Sequence, residues 1–448
     1  MGKYHFIAIG GIGMSGLAKY LLEEGHFVTG SDIQDSKYIN TLRDLGAEVK
    51  IGHKADNLSG DVDAVIVSTA IKESNPELMK ARGLGLKIYH RSDLLKLISE
   101  SARKESKCFI GFAGTHGKTT TSGMCSYVLE KANLAPAFVV GGIVPEITTN
   151  AQHKDGNFFI AELDESDGTL VKYFPDVLVI NNLEEDHLDF YKNGMGDIVK
   201  VFNQAISQSK KVIVNADDKG VKNLPGDFIT FGLNKADYVA KNIRISKDGT
   251  TFDVYTKDKM FVEIKIELTG THNIYNTLAV ISALVESGVD IDKIKDLFTS
   301  FSGMGRRFQH VCNINGISVY DDYAHHPTEI KSVLEAASTK FGKENIIAVF
   351  QPHRYTRLQG LWEEFKGSFK NAERIIVTDV YAASENPIDG ITGESFANDL
   401  GVEYYKGSIE DVAKKLYPTL KQGDVVVGLG AGTITTLGKY IKEFDFCK

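Results

Sequence analysis

The stretch CFIGFAGTHGKTTT, residues 108–121, decides the fold. An apolar run of strand character ends in Gly114, and after Thr115 and His116 a second glycine, Gly117, precedes Lys118, Thr119 and Thr120. Strand, glycine turn and helix in that order gather backbone N–H groups around phosphate oxygens at a helix N-terminus. Lys118 can then reach the outer phosphates, and the Thr119 hydroxyl is placed to ligate Mg2+. The strict pattern G-x-x-x-x-G-K-[ST] is broken, because Phe112 stands where its first glycine belongs. A chance glycine–lysine turn is the bland alternative, and the strand before and helix after argue against it.

Working outward, strand-like and helix-like runs alternate on both sides. Residues 4–10, 27–31, 64–68, 160–163 and 177–181 read as strands, and 14–24 as an amphipathic helix. This βαβ rhythm predicts parallel sheets covered by helices. The polar run SESARKESK, residues 99–107, reads as a helix end leading into a linker. Between 237 and 268 apolar and polar residues alternate around KDGT (247–250) and KDKM (257–260), the pattern of an antiparallel meander. A helix is expected over 273–287. Beyond Gly303-Met304-Gly305, strands at 317–320, 346–350, 374–378 and 425–429 alternate with helices such as 327–341. A chain of 448 residues suggests three domains at roughly 150 residues each. The reading is α/β throughout: a Rossmann-like N-terminal domain at 1–105, a central P-loop ATPase-like domain with an appended antiparallel sheet at 106–303, and a C-terminal Rossmann-like domain at 304–448.

Composition narrows the function. With 51 basic and 59 acidic residues the net charge is −8, and no basic block is present, which argues against nucleic acid as a partner. The cysteines, Cys108, Cys125, Cys312 and Cys447, form no CxxC pair, so reduced thiols of a cytosolic protein fit better than a zinc site or disulfide framework. No apolar run approaches the roughly 18 residues of a membrane span, and the opening MGKYHFIAIGG is too soon broken by glycines for a secretion signal. A cytoplasmic protein without a membrane partner is expected.

Further motifs carry chemistry. IGGIGMSG, residues 9–16, places Gly11, Gly13 and Gly16 in a G-x-G-x-x-G turn, with Asp32 about twenty residues on. That turn suits the diphosphate of NAD or of another nucleotide, or is a tight strand–helix turn without a ligand. AELDESDG (161–168) and NNLEEDHLD (181–189) put Glu162, Asp164, Glu165, Asp167, Glu184, Glu185, Asp186, His187 and Asp189 at strand ends near the phosphate loop. Carboxylates there suit Mg2+, which prefers oxygen ligands, while His187 is a less usual ligand. Most of the other carboxylates are expected to be solvated or to cap. GTHNIYN (270–276) opens a helix with His272, Asn273 and Asn276, whose amides can read an adenine edge or cap the helix. GMGRRF (303–308) offers Arg306 and Arg307, suited to phosphate or to a surface ion pair. YDDYAHHPTE (320–329) and QPHRYTR (351–357) would gather Asp322, His325, His326, His353, Arg354 and Arg357 at one sheet edge, where doubly wound folds bind ligands.

In this order, together with LGAGTI (429–434), these motifs resemble those of the Mur ligases over about residues 5–440. DDYAHHPTE is shared by the alanine-adding branch and a tripeptide-recycling branch, and QPHRYTR favours the former. Other branches carry a carbamylated lysine after the EDH motif; here Phe202 takes that place, with Lys200 nearby, as in the alanine-adding branch. The resemblance implies ATP-dependent joining of L-alanine to UDP-N-acetylmuramate through an acyl phosphate, in cell-wall precursor synthesis. It implies that Gly11, Gly13, Gly16, Ser31, Asp32, Ser68, Thr69 and Arg91 hold the UDP-sugar rather than NAD. It implies that Gly114–Thr120 bind ATP, with Mg2+ on Thr119, Glu162 and His187 and adenine beside His272, Asn273 and Asn276. Arg307 and Asp322 would be further nucleotide contacts. Lys118, His325, Arg354 and Arg357 would serve the reacting groups, and the C-terminal domain would close over them. The segment TDVYAASENPI (378–388) resembles the family's loop near the alanine.

Overall fold

The computed structural model describes residues 1–187, 190–246, 249–383 and 385–446. Asp189, Ser384, Cys447 and the first two residues of the KDGT turn lie outside them. The chain forms two compact units, one of Met1–Asn242, Phe252–Lys265 and Tyr275–Phe301, the other of Ile243–Thr251, Ile266–Ile274 and Ser302–Lys448.

The first unit begins with a parallel sheet of β1 (Lys3–Ile7), β2 (Phe27–Asp32), β3 (Glu48–Ile51), β4 (Ala64–Val67) and β5 (Ile88–His90). Their order is β3-β2-β1-β4-β5, so the winding reverses between β1 and β4, where such sheets bind ligands. Helices α1 (Ile12–Glu23), α2 (Lys37–Asp44), α3 (Pro76–Gly83) and α4 (Arg91–Lys104) connect or follow the strands. Helix α4 starts with a capping box: the His90 ring accepts from the helix backbone and Asp93 accepts the His90 N–H. It also consumes most of the stretch read as a linker. Ser106 takes φ 63° and Lys107 N–H returns to Ala102, closing the helix directly onto the next strand.

A second sheet runs through β6 (Cys108–Ala113), β7 (Ala137–Val144), β8 (Thr149–Gln152), β9 (Phe158–Glu162), β10 (Val177–Ile180), β11 (Lys211–Asn215), β12 (Ile229–Gly232), β13 (Tyr238–Ser246), β14 (Gly249–Thr256) and β15 (Lys259–Ile266). The order is β15-β14-β13-β12-β11-β10-β6-β9-β7-β8, and β6 lies parallel between β10 and β9. Helices α5 (Lys118–Lys131), α6 (Met195–Ser207) and α7 (Thr271–Glu286) follow. The expected meander is present, and its turn at Lys257 and Asp258 has φ of 49° and 61°, as a type I′ hairpin requires. One buried apolar cluster joins Phe6, Leu17 and Ile98 to Phe109, Phe159 and Leu178, so the first two sheets share a core.

The second unit holds β16 (Gln309–Ile314), β17 (Ile317–Asp322), β18 (Ile346–Phe350), β19 (Arg374–Thr378), β20 (Glu403–Tyr405) and β21 (Val425–Leu429), in the order β16-β17-β21-β18-β19-β20. Strand β16 is antiparallel to β17 and the rest are parallel. Helices α8 (Pro327–Phe341) and α9 (Tyr355–Gly360) leave the carboxyl ends of β17 and β18. None of the described helices is long and apolar enough to cross a membrane.

Candidate active site

Three groups of side chains stand at carboxyl ends of parallel strands. The first surrounds the glycine turn after β1. Asp32, ending β2, accepts the Gly10 N–H at 2.8 Å and so fixes that turn from below. Gly13 lies beside Arg91, whose guanidinium would be 3.8 Å from a Cβ there. Arg91 in turn donates to Asp164 at 2.8 Å. Gly16 serves packing, since a Cβ would come within 2.7 Å of the Asn150 amide, which itself donates to the Ile12 carbonyl. Ser31 is likewise spent inside the protein. It is 0 % exposed and donates to Glu77 at 2.7 Å, within a buried network that includes His5, His53 and Asn57. Ser68 is half-buried and Thr69 exposed at the end of β4.

The second group is the phosphate loop. Gly114 has φ 123°, and a Cβ there would meet the Asn182 carbonyl at 2.8 Å; Gly117 has φ 83° and would meet Asn276 at 2.7 Å. Both positions therefore need glycine for conformation and for space. Asn182 reads the loop with both ends of its amide, accepting the His116 N–H at 2.7 Å and donating to the His116 carbonyl at 3.1 Å. Thr115 and Thr121 are also tied to this neighbouring segment, through Glu184 and Asn181. Lys118 donates to the Gly114 carbonyl at 2.6 Å and pairs with Glu165 at 2.8 Å. Burial alone would lower its ammonium pKa, but Glu165, Asp164 and Glu162 push it above its ordinary range.

The proposed metal ligands fall on adjacent strands. Thr119 is in the first turn of α5, directly after β6 and its loop. Glu162 ends β9 opposite Phe112, and His187 follows β10 on the other side of β6. Glu162 accepts the Gly141 N–H at 3.0 Å, and His187 holds φ 54° with its N–H on Asp186. A hydroxyl and a carboxylate form a hard oxygen set suited to Mg2+. Most of the remaining carboxylates were expected to be solvated or to cap, and two depart from that. Asp164 is held well below the usual range by Lys118 and Arg91 in spite of its burial, whereas burial pushes Glu165 up to about 7 against the pull of Lys118. The sequence reading named these two without giving them a role, and passed over Asn181 and Asn182. The available signal was a DES or NN sequence at the end of a buried strand flanking the loop. Phe202 is fully buried in the core and Lys200 faces solvent on Asp197 at 3.1 Å, so neither offers a lysine to this group.

Asn276, on α7, is buried against Gly117 of the phosphate loop. Asn273 donates to the Thr269 carbonyl at 2.8 Å, a local tie at the helix start. Burial, with Arg307 nearby, lowers His272 to about 4, so its ring is neutral at neutral pH.

The third group lies in the second unit. Asp322, 2 % exposed, accepts the Phe308 and Ala324 N–H groups, both at 2.6 Å, and burial pushes its pKa up to about 6. Arg306 pairs with Asp321 and donates to the Gly430 carbonyl at 2.9 Å. Arg307 lies 3.4 Å from Glu329 and above the Tyr323 ring. His325 places Nδ1 2.9 Å from the Tyr323 carbonyl, which fixes its proton there and leaves Nε2 as the basic nitrogen. Its ring meets that of His353 at 5.7 Å. His326 caps α8. His353 stacks on Tyr381, accepts from Arg357 at 3.2 Å and is lowered to about 3 by burial and neighbouring positive charge. Arg354 donates to Glu385 at 2.6 Å. The structure thus brings the YDDYAHHPTE and QPHRYTR motifs to one edge, on strands that flank β21.

Two glycine turns after first strands, a lysine cradle and three doubly wound sheets define a nucleotide-using enzyme. Comparison with known proteins agrees. Residues 3–103 match the family model described as Mur ligase family, catalytic domain, 112–284 the Mur ligase middle domain, and 306–432 the Mur ligase, glutamate ligase domain. The chain belongs to the Mur ligase family, a three-domain α/β fold. It is 40 % identical over 450 residues to the UDP-N-acetylmuramate–L-alanine ligase of Pelobacter propionicus, covering 98 % of this chain and 96 % of that one. The protein of the same name from Sulfurihydrogenibium sp. is 40 % identical, with 98 % of each covered. The crystal structure of UDP-N-acetylmuramate–alanine ligase from Thermotoga maritima superposes with a TM-score of 0.86 at 31 % identity, covering 100 % of both chains. A murein peptide ligase from Psychrobacter arcticus shares the fold, with a TM-score of 0.73 at 23 % identity over 99 % of this chain and 98 % of that one. The NAD alternative for the first glycine turn falls with the family.

Proposed function

We propose that this protein is a cytoplasmic ligase that uses ATP to join L-alanine to UDP-N-acetylmuramate, a step in making peptidoglycan precursor. The observation that carries the reading is the Lys118 cradle: a glycine loop locked by Asn182 and Asn276, with carboxylates on both neighbouring strand ends. In this reading residues 1–105 hold the UDP-sugar, through the turn at Gly11 and Gly13 with Arg91. Residues 106–303 hold ATP, and residues 304–448 serve the lactyl carboxylate and the alanine through His325, Arg354 and Arg357.

A carboxylate is a poor electrophile, and phosphorylation changes that. An oxygen of the lactyl carboxylate bonds to the γ-phosphorus while the bond to ADP breaks, giving an acyl phosphate. The neutral alanine amine then bonds to the acyl carbon, and phosphate leaves from the tetrahedral adduct as the amine proton is lost. Such chemistry asks for alignment and charge neutralisation rather than a protein nucleophile. Thr119, Glu162 and His187 would hold Mg2+, which supplies further charge neutralisation at the phosphates. Lys118 offsets the charge on the transferring group. His325 Nε2, with its proton fixed on Nδ1, can accept the amine proton.

The test is phosphate release from purified protein with ATP, Mg2+ and UDP-N-acetylmuramate, one amino acid at a time. Release that needs both sugar and L-alanine, with the sugar's mass raised by one alanyl residue, is the expected result. Release only with a tripeptide would make it a recycling ligase, and no release from folded protein would overturn the reaction.

A further inference from the structure

Glu385 lies in the segment TDVYAASENPI, was given no role of its own in the sequence, and yet anchors a second motif. It lies in the segment after β19 and reaches the QPHRYTR segment after β18, the neighbouring parallel strand. Its Oε1 accepts from Arg354 Nε and from the Thr356 hydroxyl, both at 2.6 Å, and its Oε2 accepts the Thr356 N–H at 3.1 Å. The side chain is only 15 % exposed.

The backbone of this region is tied independently of that carboxylate. Tyr381 N–H donates to the Pro352 carbonyl at 2.8 Å, Arg354 N–H donates to the Tyr381 carbonyl at 2.9 Å, and the Tyr381 ring stacks on His353. Glu385 adds something more specific. Arg354 holds φ 72°, a conformation that side-chain-bearing residues rarely adopt and that persists only where surroundings enforce it. Taking the inner nitrogen of its planar guanidinium sets the direction of the outer edge. Holding the Thr356 N–H and hydroxyl fixes the first turn of α9, which carries Arg357 in the next position. One carboxylate thus orients both arginines of the motif.

We infer that Glu385 is a positioning residue for capture of the amino acid. It aims Arg354 and Arg357, the two cations suited to the carboxylate of the incoming amino acid. The inference rests on the ligase reading given above, since it assigns these arginines to that substrate.

Steady-state kinetics on the full chain, with ATP, sugar and alanine varied in turn, decide it. Glu385→Ala is expected to raise the KM for alanine about 10- to 100-fold, the range for losing hydrogen bonds to a charged group. KM for ATP and for the sugar stays within about twofold, and kcat at saturating alanine within about threefold. Glu385→Gln can keep the Thr356 N–H on its one oxygen but then has no acceptor for Arg354 Nε, and is expected to recover only part of the alanine KM. An alanine KM unchanged in Glu385→Ala would overturn the inference, as would an equal fall in every parameter with a lowered melting temperature. Hydrogen exchange of the peptide 352–358 separates this from failure of the ligase reading. Faster exchange in Glu385→Ala but not in Glu385→Gln supports the anchor even if no amino acid releases phosphate, and unchanged exchange removes it.

Discussion

Replacing Gly141 by alanine should weaken metal binding without disturbing the fold. Gly141 lies in β7, exposed, and is not among the glycines with positive φ, so its backbone accepts a side chain. The three atoms nearest to a Cβ there all belong to the Glu162 carboxylate, Oε2 first, then the carboxyl carbon at 2.8 Å and Oε1 at 2.9 Å, where ordinary contact begins at 3.4 Å. Its nearest oxygen, Oε2, must therefore withdraw by about 1.2 Å, and it strains or loses the 3.0 Å hydrogen bond from Gly141 N–H. Mg2+ demands near-ideal geometry at about 2.0–2.1 Å, so a ligand displaced that far no longer fits. Disturbing the partners that orient a metal ligand typically costs about 10- to 100-fold in affinity, and that rise is expected in the apparent Mg2+ constant for phosphate release. ADP binding measured without metal should not change, and the melting temperature should move little. An unchanged Mg2+ constant, in a variant whose thermal unfolding matches the parent, would refute the placement of Glu162 as a ligand.

Lys118→Ala should cut kcat about 100- to 1000-fold, the usual cost of removing one preorganised charge from a developing transition state, seen in single-turnover phosphate release. Asp322 supplies a pH effect. Its folded-state pKa of about 6 lies above the unfolded value near 3.8, so its stabilisation is complete below about pH 4 and lost as pH rises through 6. That slope is worth about 3 kcal/mol at most, and Asp322→Asn should remove it from urea-unfolding midpoints followed in the second unit between pH 4 and 7. Glu77→Ala should destabilise the first sheet by about 3–5 kcal/mol, because it strands buried His5 and Ser31 and half-buried Asn57; hydrogen exchange at β1 and β2 reads the loss.

The sheets were legible because their central strands are continuous apolar runs, as at 108–113, 177–180 and 425–429, bounded by glycine turns. Strand β16 escaped notice since four of its six residues are exposed, leaving no buried run. The signal was nonetheless present: Asn315-Gly316, with φ of 51° and 78°, is the turn pair of a type I′ hairpin. In the site, motifs revealed which residues gather but not where each side chain points. Ser31 shares a strand face with exposed Phe27, yet it is buried, because Glu77, over forty positions away, receives it. Nor does local sequence distinguish Glu165, spent on Lys118, from a neighbour such as Asp167 that accepts only from nearby Thr169. The partner that makes the difference, Lys118, opens the helix that follows another strand.

Lys118 already has protein oxygens as company: the Gly114 and Thr115 carbonyls and the Glu165 carboxylate. A phosphate arriving there takes part in an exchange, one set of oxygens for another, rather than in a simple addition. The free energy of that exchange is a difference between similar quantities, so nucleotide affinity conceals how strongly the ammonium grips phosphate. The full grip emerges only as negative charge accumulates on the oxygens during transfer, where the internal partners cannot compete. Substitution at this position should thus be mild in a binding isotherm and severe in a rate, and salt should perturb the first less than a bare lysine–phosphate contact would suggest.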